Sequence, residues 1–125
     1  MSSLTHKKCV PCEGGVPTLT PEEVEKFIGE VPEWNVNEEA TQIYRTFKFR
    51  DFVQAMIFVN AVAQLAEDEG HHPDFQINYG KVTLTLWTHA IGGLSENDFI
   101  LAAKIDQLPE SFGETVKGDE EFLAG

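Results

Sequence analysis

Three helix-start signals, at Thr20, Asp51 and Ser95, divide the chain and constrain its fold more than any other feature. In Leu19-Thr20-Pro21-Glu22-Glu23-Val24, Thr20 is the N-cap, Pro21 suits the first helical position, Glu23 completes a capping box and Leu19 staples onto Val24. Val24, Phe27, Ile28 and Val31 follow at helical spacing as far as Pro32. Asp51 with Gln54 opens a long helix ending at Gly70, whose predicted inward face is Phe52, Ala55, Met56, Val59, Ala63 and Ala66. Ser95-Glu96-Asn97-Asp98 is a third capping box with a Leu94–Phe99 staple, and this helix is predicted to run to about Leu108, before Pro109.

Between these signals the apolar period changes from helical to alternating. Trp34 and Val36 predict a short strand, an acidic turn covers Asn37 to Glu39, and Gln42 to Phe49 predicts a second strand with Ile43, Phe47 and Phe49 on one face and Arg45 breaking it. Phe75, Ile77 and Tyr79, then Val82, Leu84 and Leu86, predict a hairpin turning at Gly80-Lys81. The order α-β-β-α-β-β-α makes this an α+β chain, a two-layer arrangement of an antiparallel four-stranded sheet with three helices on one face.

A chain of 125 residues with 42% hydrophobic content is enough for one domain with one core. The expected layout is an irregular N-terminal arm over 1–17, order beginning at Leu19 within a domain over 18–112, and an acidic tail over 113–125. A net charge of −12 argues against direct nucleic-acid binding, which needs clustered Lys and Arg. The longest apolar stretch, Ala55 to Ala66, is too short and too interrupted to span a bilayer, and no signal segment opens the chain, so a cytoplasmic location is expected. Cys9 and Cys12 form one CxxC without a second pair; His6 would be a third ligand, but the reading favoured is a reduced, structurally minor thiol pair.

The candidate chemistry lies in Glu67-Asp68-Glu69-Gly70-His71-His72-Pro73. Three carboxylates in the last turn of a helix oppose its dipole. Asp68 and Glu69 read as solvated surface charges, while Glu67 stands near two histidines that follow a helix-ending glycine, where both rings can face one cavity and Pro73 stiffens the exit. Strand alternation places His89 on the face opposite Val82, Leu84 and Leu86. Imidazole exchanges protons near neutral pH, so three histidines beside a carboxylate suit paired general acid and base roles. A metal site is the competing use, disfavoured because no HExxH or comparable regular ligand set is present. Tyr79 and Trp87 read as packing or cross-strand residues.

Glu67, His71, His72, Pro73, Tyr79, His89 and Asp98 form E-x3-H-H-P-x5-Y-x9-H-x8-D, which resembles the signature of the pterin-4a-carbinolamine dehydratases. The similarity extends through Thr20, Pro32 to Trp34, Phe47 to Phe52 and Gly93 to Asp98, nearly everything except arm and tail. The resemblance implies a hydro-lyase that dehydrates 4a-hydroxytetrahydropterin to quinonoid dihydropterin in tetrahydropterin recycling after an aromatic amino acid hydroxylase, with neither metal nor bound organic cofactor. It implies that His71 and His89 share acid and base roles supported by Glu67, and that His72, Pro73 and Asp98 contribute to pterin binding. Asp98 has a competing job as the third residue of the Ser95 capping box, set against a direct contact with the ligand or with a histidine. The resemblance further implies a homodimer or homotetramer, and it leaves a rival on the same fold: a non-catalytic dimerisation or assembly factor.

Overall fold

Each helix starts at its capping residue because the cap satisfies amide groups that the first turn cannot. The structure is a computed structural model that describes residues 3–10 and 17–108; Cys12, Pro109 and the predicted tail lie outside them. Helix α1 is Pro21–Ile28, with Thr20 Oγ1 accepting from Glu23 N at 3.2 Å and Glu23 Oε1 accepting from Thr20 N at 2.8 Å. Helix α2 is Phe52–Glu69, capped by Asp51 Oδ1 on Gln54 N at 2.9 Å and closed by Gly70 at φ 67°. Helix α3 is Glu96–Ile105, shorter than predicted; Asp106 N still donates to Ala102 O, and residues 107 and 108 follow as tight turns on Lys104 O and Ile105 O.

Strands β1 (Asn35–Val36), β2 (Ile43–Lys48), β3 (Asp74–Asn78) and β4 (Lys81–Leu86) form one antiparallel sheet in the order β1-β2-β4-β3. The two-layer α+β reading and its element order therefore hold. The register sets Ile43 opposite Leu86 and Phe47 opposite Val82, so the pleat sends Ile43, Phe47, Val82, Leu84 and Leu86 to one fully buried face. Phe58 of α2 fills that face, its ring 4.7 Å from Phe47 and 5.0 Å from Phe49. Arg45, which breaks the apolar alternation, reaches Asp106 Oδ1 at 2.7 Å just past α3 and lies 4.3 Å from the centre of the Phe47 ring. Trp34 Nε1 donates to the same oxygen at 2.7 Å. Burial pushes the Asp106 carboxyl above its ordinary range, and the Trp34 and Arg45 contacts offset part of that rise.

Three expectations need correction. The inward face of α2 is Ala55, Phe58, Val59, Val62 and Ala66, whereas Phe52 and Ala63 are exposed. The helix is apolar on several sides, with Val53 and Ile57 also exposed, so periodicity could not choose the stripe; the space between Phe47 and Phe49 chose Phe58. The hairpin turns at Tyr79-Gly80, not Gly80-Lys81, and Tyr79 takes φ 50° outside the strand. A Cβ on Gly80 would stand 2.6 Å from Phe49 O, so the backbone approach there requires glycine. Finally, order begins before Leu19: Ser3–His6 is a 3-10 turn and Leu4 is buried in the core.

Candidate functional site

The left-handed Gly70 reverses the chain at the end of α2, and His71 N donates back to Ala66 O at 3.2 Å. This capped reversal aims the His71 ring at the start of α3, where Nε2 meets Asp98 Oδ1 at 2.6 Å. The His71 side chain is 11% exposed and that of Asp98 is 0% exposed. The other oxygen of Asp98 accepts from Ser95 N at 3.0 Å and from Thr88 Oγ1 at 2.8 Å. Asp98 thus performs both jobs that the sequence set in competition: one oxygen caps the helix and the other holds a histidine.

His72 Nε2 pairs with Glu67 Oε2 at 2.7 Å, and both side chains are more than half exposed. The carboxylate expected beside the proton-carrying histidines is therefore on His72. Exposure makes this pair a weak tether. Pro73 is buried directly after it.

His89 does not lie on the strand. β4 ends at Leu86, Thr88 bridges to Gly93, and His89 opens a 3-10 turn, His89–Ile91, within that loop. Its ring stacks on Trp87 with centroids 3.9 Å apart and planes 27° apart. Trp87 is fixed in turn by Nε1 donating to Asp74 Oδ2 at 3.2 Å, since β3 sends Asp74 to the face away from the helices and Trp87, one residue past β4, keeps the parity of Thr85. His71, His72, Pro73, Asp74, Trp87 and His89 line one open cavity of about 420 Å³, together with Val10 and Asn97. Glu67 and Asp98 are not among the lining residues; each is bonded to a histidine that is.

Trp87, Asp74, Val10 and Asn97 were not singled out for this cavity from sequence. Strand parity could have found the first two, because Trp87 shares its face with Thr85, which pairs with Asp74. Nothing local to residues 7–10 signals that they reach across to α3.

Glu69 is likewise not a solvated surface charge. Its side chain is 6% exposed, bonded to Lys104 Nζ at 2.5 Å and to the Cys9 amide at 2.9 Å. The arm covers it, and Lys104 supplies from another helix the cation that the end of α2 lacks. Burial works against its ionisation, but Lys104, the Cys9 amide and Lys8 together outweigh it and hold the carboxyl below its ordinary range. Cys9 is a free thiol pushed from 9.0 up to about 12, first by burial and then by the Glu69 charge. At pH 8 such a rise leaves roughly 10³-fold less thiolate, so Cys9 in a Cys12→Ser variant should react with iodoacetamide at least about a hundred-fold more slowly folded than in urea. Equal rates by mass spectrometry would contradict the burial of this thiol.

A profile of the family described as Pterin 4 alpha carbinolamine dehydratase matches residues 17–108. The chain belongs to the pterin-4-alpha-carbinolamine dehydratase family. A relative from Halorhodospira halophila, named provisionally as a pterin-4-alpha-carbinolamine dehydratase, is 52% identical over 106 residues, 85% of this chain and 97% of the relative. One from Rickettsia bellii with the same provisional name is 53% identical over 107 residues, covering 85% and 94%. Among solved structures, the transcriptional coactivator/pterin dehydratase from Brucella melitensis superposes with a TM-score of 0.69 at 33% identity, covering 74% of this chain and 98% of that one. A pterin dehydratase-like protein identified as a RuBisCO assembly factor in the alpha-carboxysome gives 0.54 at 27%, covering 61% and 88%. Every residue of the pterin carbinolamine dehydratase signature quoted above falls inside the matched segment. No helix among the described residues is long and apolar enough to cross a membrane.

Proposed function

We propose that this protein is a 4a-hydroxytetrahydropterin dehydratase acting by histidine acid–base chemistry, in tetrahydrobiopterin recycling. The observation that carries the reading is the convergence of His71, His72 and His89 on one cavity, with His71 anchored to a fully buried carboxylate. In the reaction the C4a–O bond breaks as a protonated histidine gives its proton to the departing hydroxyl. The N5 lone pair forms the C4a–N5 double bond, and a base takes the ring proton released.

His71 and His89 share the acid and base roles. Asp98 orients His71, fixing which ring nitrogen faces the cavity. His89 offers its outer edge to the substrate while Trp87 supports its plane. His72 binds the ring with Glu67 behind it, and Pro73 fixes the wall between His72 and Asp74. No metal or organic cofactor takes part in this scheme. The substrate is a pterin, and the exposed edge strand β3 supports a homodimer or homotetramer formed by sheet extension. A cytoplasmic location fits the free Cys9 thiol.

The test is the rate of 4a-carbinolamine dehydration with purified protein, with and without a chelator. Clear acceleration over the spontaneous reaction in both arms is expected; no acceleration would overturn the reading. The alpha-carboxysome neighbour supports one alternative, a non-catalytic assembly factor on the same fold. An inactive protein that still binds a macromolecular partner would favour it.

A further inference from the structure

Residues 7–10 are tied to the domain more tightly than an irregular arm requires. Val10 N donates to Asn97 Oδ1 at 3.0 Å and Val10 O accepts from Asn97 Nδ2 at 2.5 Å, so one carboxamide takes both backbone groups of one residue, as a neighbouring strand would. One residue earlier, the Cys9 amide is held by the buried Glu69. Lys7 pairs with Glu96. The outcome is an apolar side chain, Val10, that is 61% exposed and lines the histidine cavity on one side and a second cleft, also about 420 Å³, on the other. Held there by its backbone, Val10 presents an apolar side chain to the histidine cavity.

We propose that the Lys7–Val10 segment is a wall of the pterin pocket that sets substrate affinity, with Asn97 as the positioning residue that holds it. This rests on the dehydratase reading. Asn97 and Asp98 are adjacent in the first turn of α3, so one helical turn places both the proton-carrying His71 and the apolar wall facing it. The matched family segment begins at residue 17, so residues outside it supply this wall. Val10 contacts the flat ring system without touching the reacting atoms; it contributes to ground state and transition state alike.

The experiment uses the full chain and the variants Val10→Gly, Asn97→Ala and the double variant. Each single change is expected to raise KM about ten-fold with a much smaller change in kcat, the size of effect expected when one apolar side chain leaves a ligand. The double variant is expected to cost no more than the worse single one, because Asn97 acts through Val10. Val10→Gly alters an exposed side chain, so it tests the wall even if Asn97→Ala destabilises α3. Calorimetric titration with 7,8-dihydrobiopterin gives a readout independent of turnover. Wild-type KM in both singles, or fully additive losses in the double, would overturn the wall while leaving the dehydratase reading intact. A wild-type protein that binds the probe but does not accelerate dehydration, with binding weakened about ten-fold in both variants, would overturn that reading and keep the wall. If the wild type neither binds nor accelerates, both fall.

Discussion

Replacing His71 with alanine is expected to lower kcat/KM for carbinolamine dehydration by roughly 10²–10⁴-fold, the usual contribution of a positioned general acid or base. The effect should fall on kcat, since proton transfer takes place in the transition state rather than in binding. His71 differs from its neighbours in being nearly enclosed and locked to Asp98 at 2.6 Å, while His72 is more than half exposed on an exposed partner. The same substitution at His72 should therefore act mainly on KM and by about ten-fold. Steady-state kinetics on the two variants decide the assignment. Full dehydratase activity in His71→Ala would remove His71 from the chemistry.

The second large effect is expected at Asp98. Its carboxylate accepts from Ser95 N and Thr88 Oγ1 while holding His71, and it is 0% exposed, so Asp98→Ala removes the acceptor these groups share and leaves Thr88 Oγ1 with Ser95 Oγ at 2.7 Å. That should cost about 2–4 kcal/mol of stability, together with roughly 10²-fold in kcat from loss of histidine orientation. Asp98→Asn keeps the shape and one carbonyl oxygen and so separates the two jobs. If that oxygen stays on the cap, stability is largely retained, yet His71 loses its anionic partner and kcat falls by a comparable factor. Thermal melts beside kinetics read both quantities. An active Asp98→Asn with wild-type kcat would reduce Asp98 to a helix cap.

The helix starts at Thr20, Asp51 and Ser95 were legible in the sequence because capping is local: donor and acceptor lie within three residues of each other. The strand faces were legible because the pleat has a period of two. The choice of Phe58 over Phe52 was not, since an apolar residue on either stripe satisfies the helical period and only the facing aromatic rings discriminate. Within the site, the sequence brought forward the three histidines and the two carboxylates but not their pairing. That pairing depends on a left-handed glycine and on contacts spanning 27 residues for His71–Asp98. Glu69 was misread for a related reason, because its partners Cys9 and Lys104 lie 60 and 35 residues away.

The loop carrying His89 has a kinetic consequence. Thr88 N donates to Gly93 O at 2.8 Å across its neck, and a Cβ on Gly93 would stand 2.6 Å from Thr18 Cγ2, so the loop is closed at its base and roofed by the segment entering α1. Leu19 N donates to Leu94 O at 2.9 Å one residue further on. These contacts tie the base of the turn both to itself and to the segment entering α1. The His89 wall is therefore expected to be in place before a ligand arrives, so that association at this wall follows diffusion and the orientation of the incoming molecule.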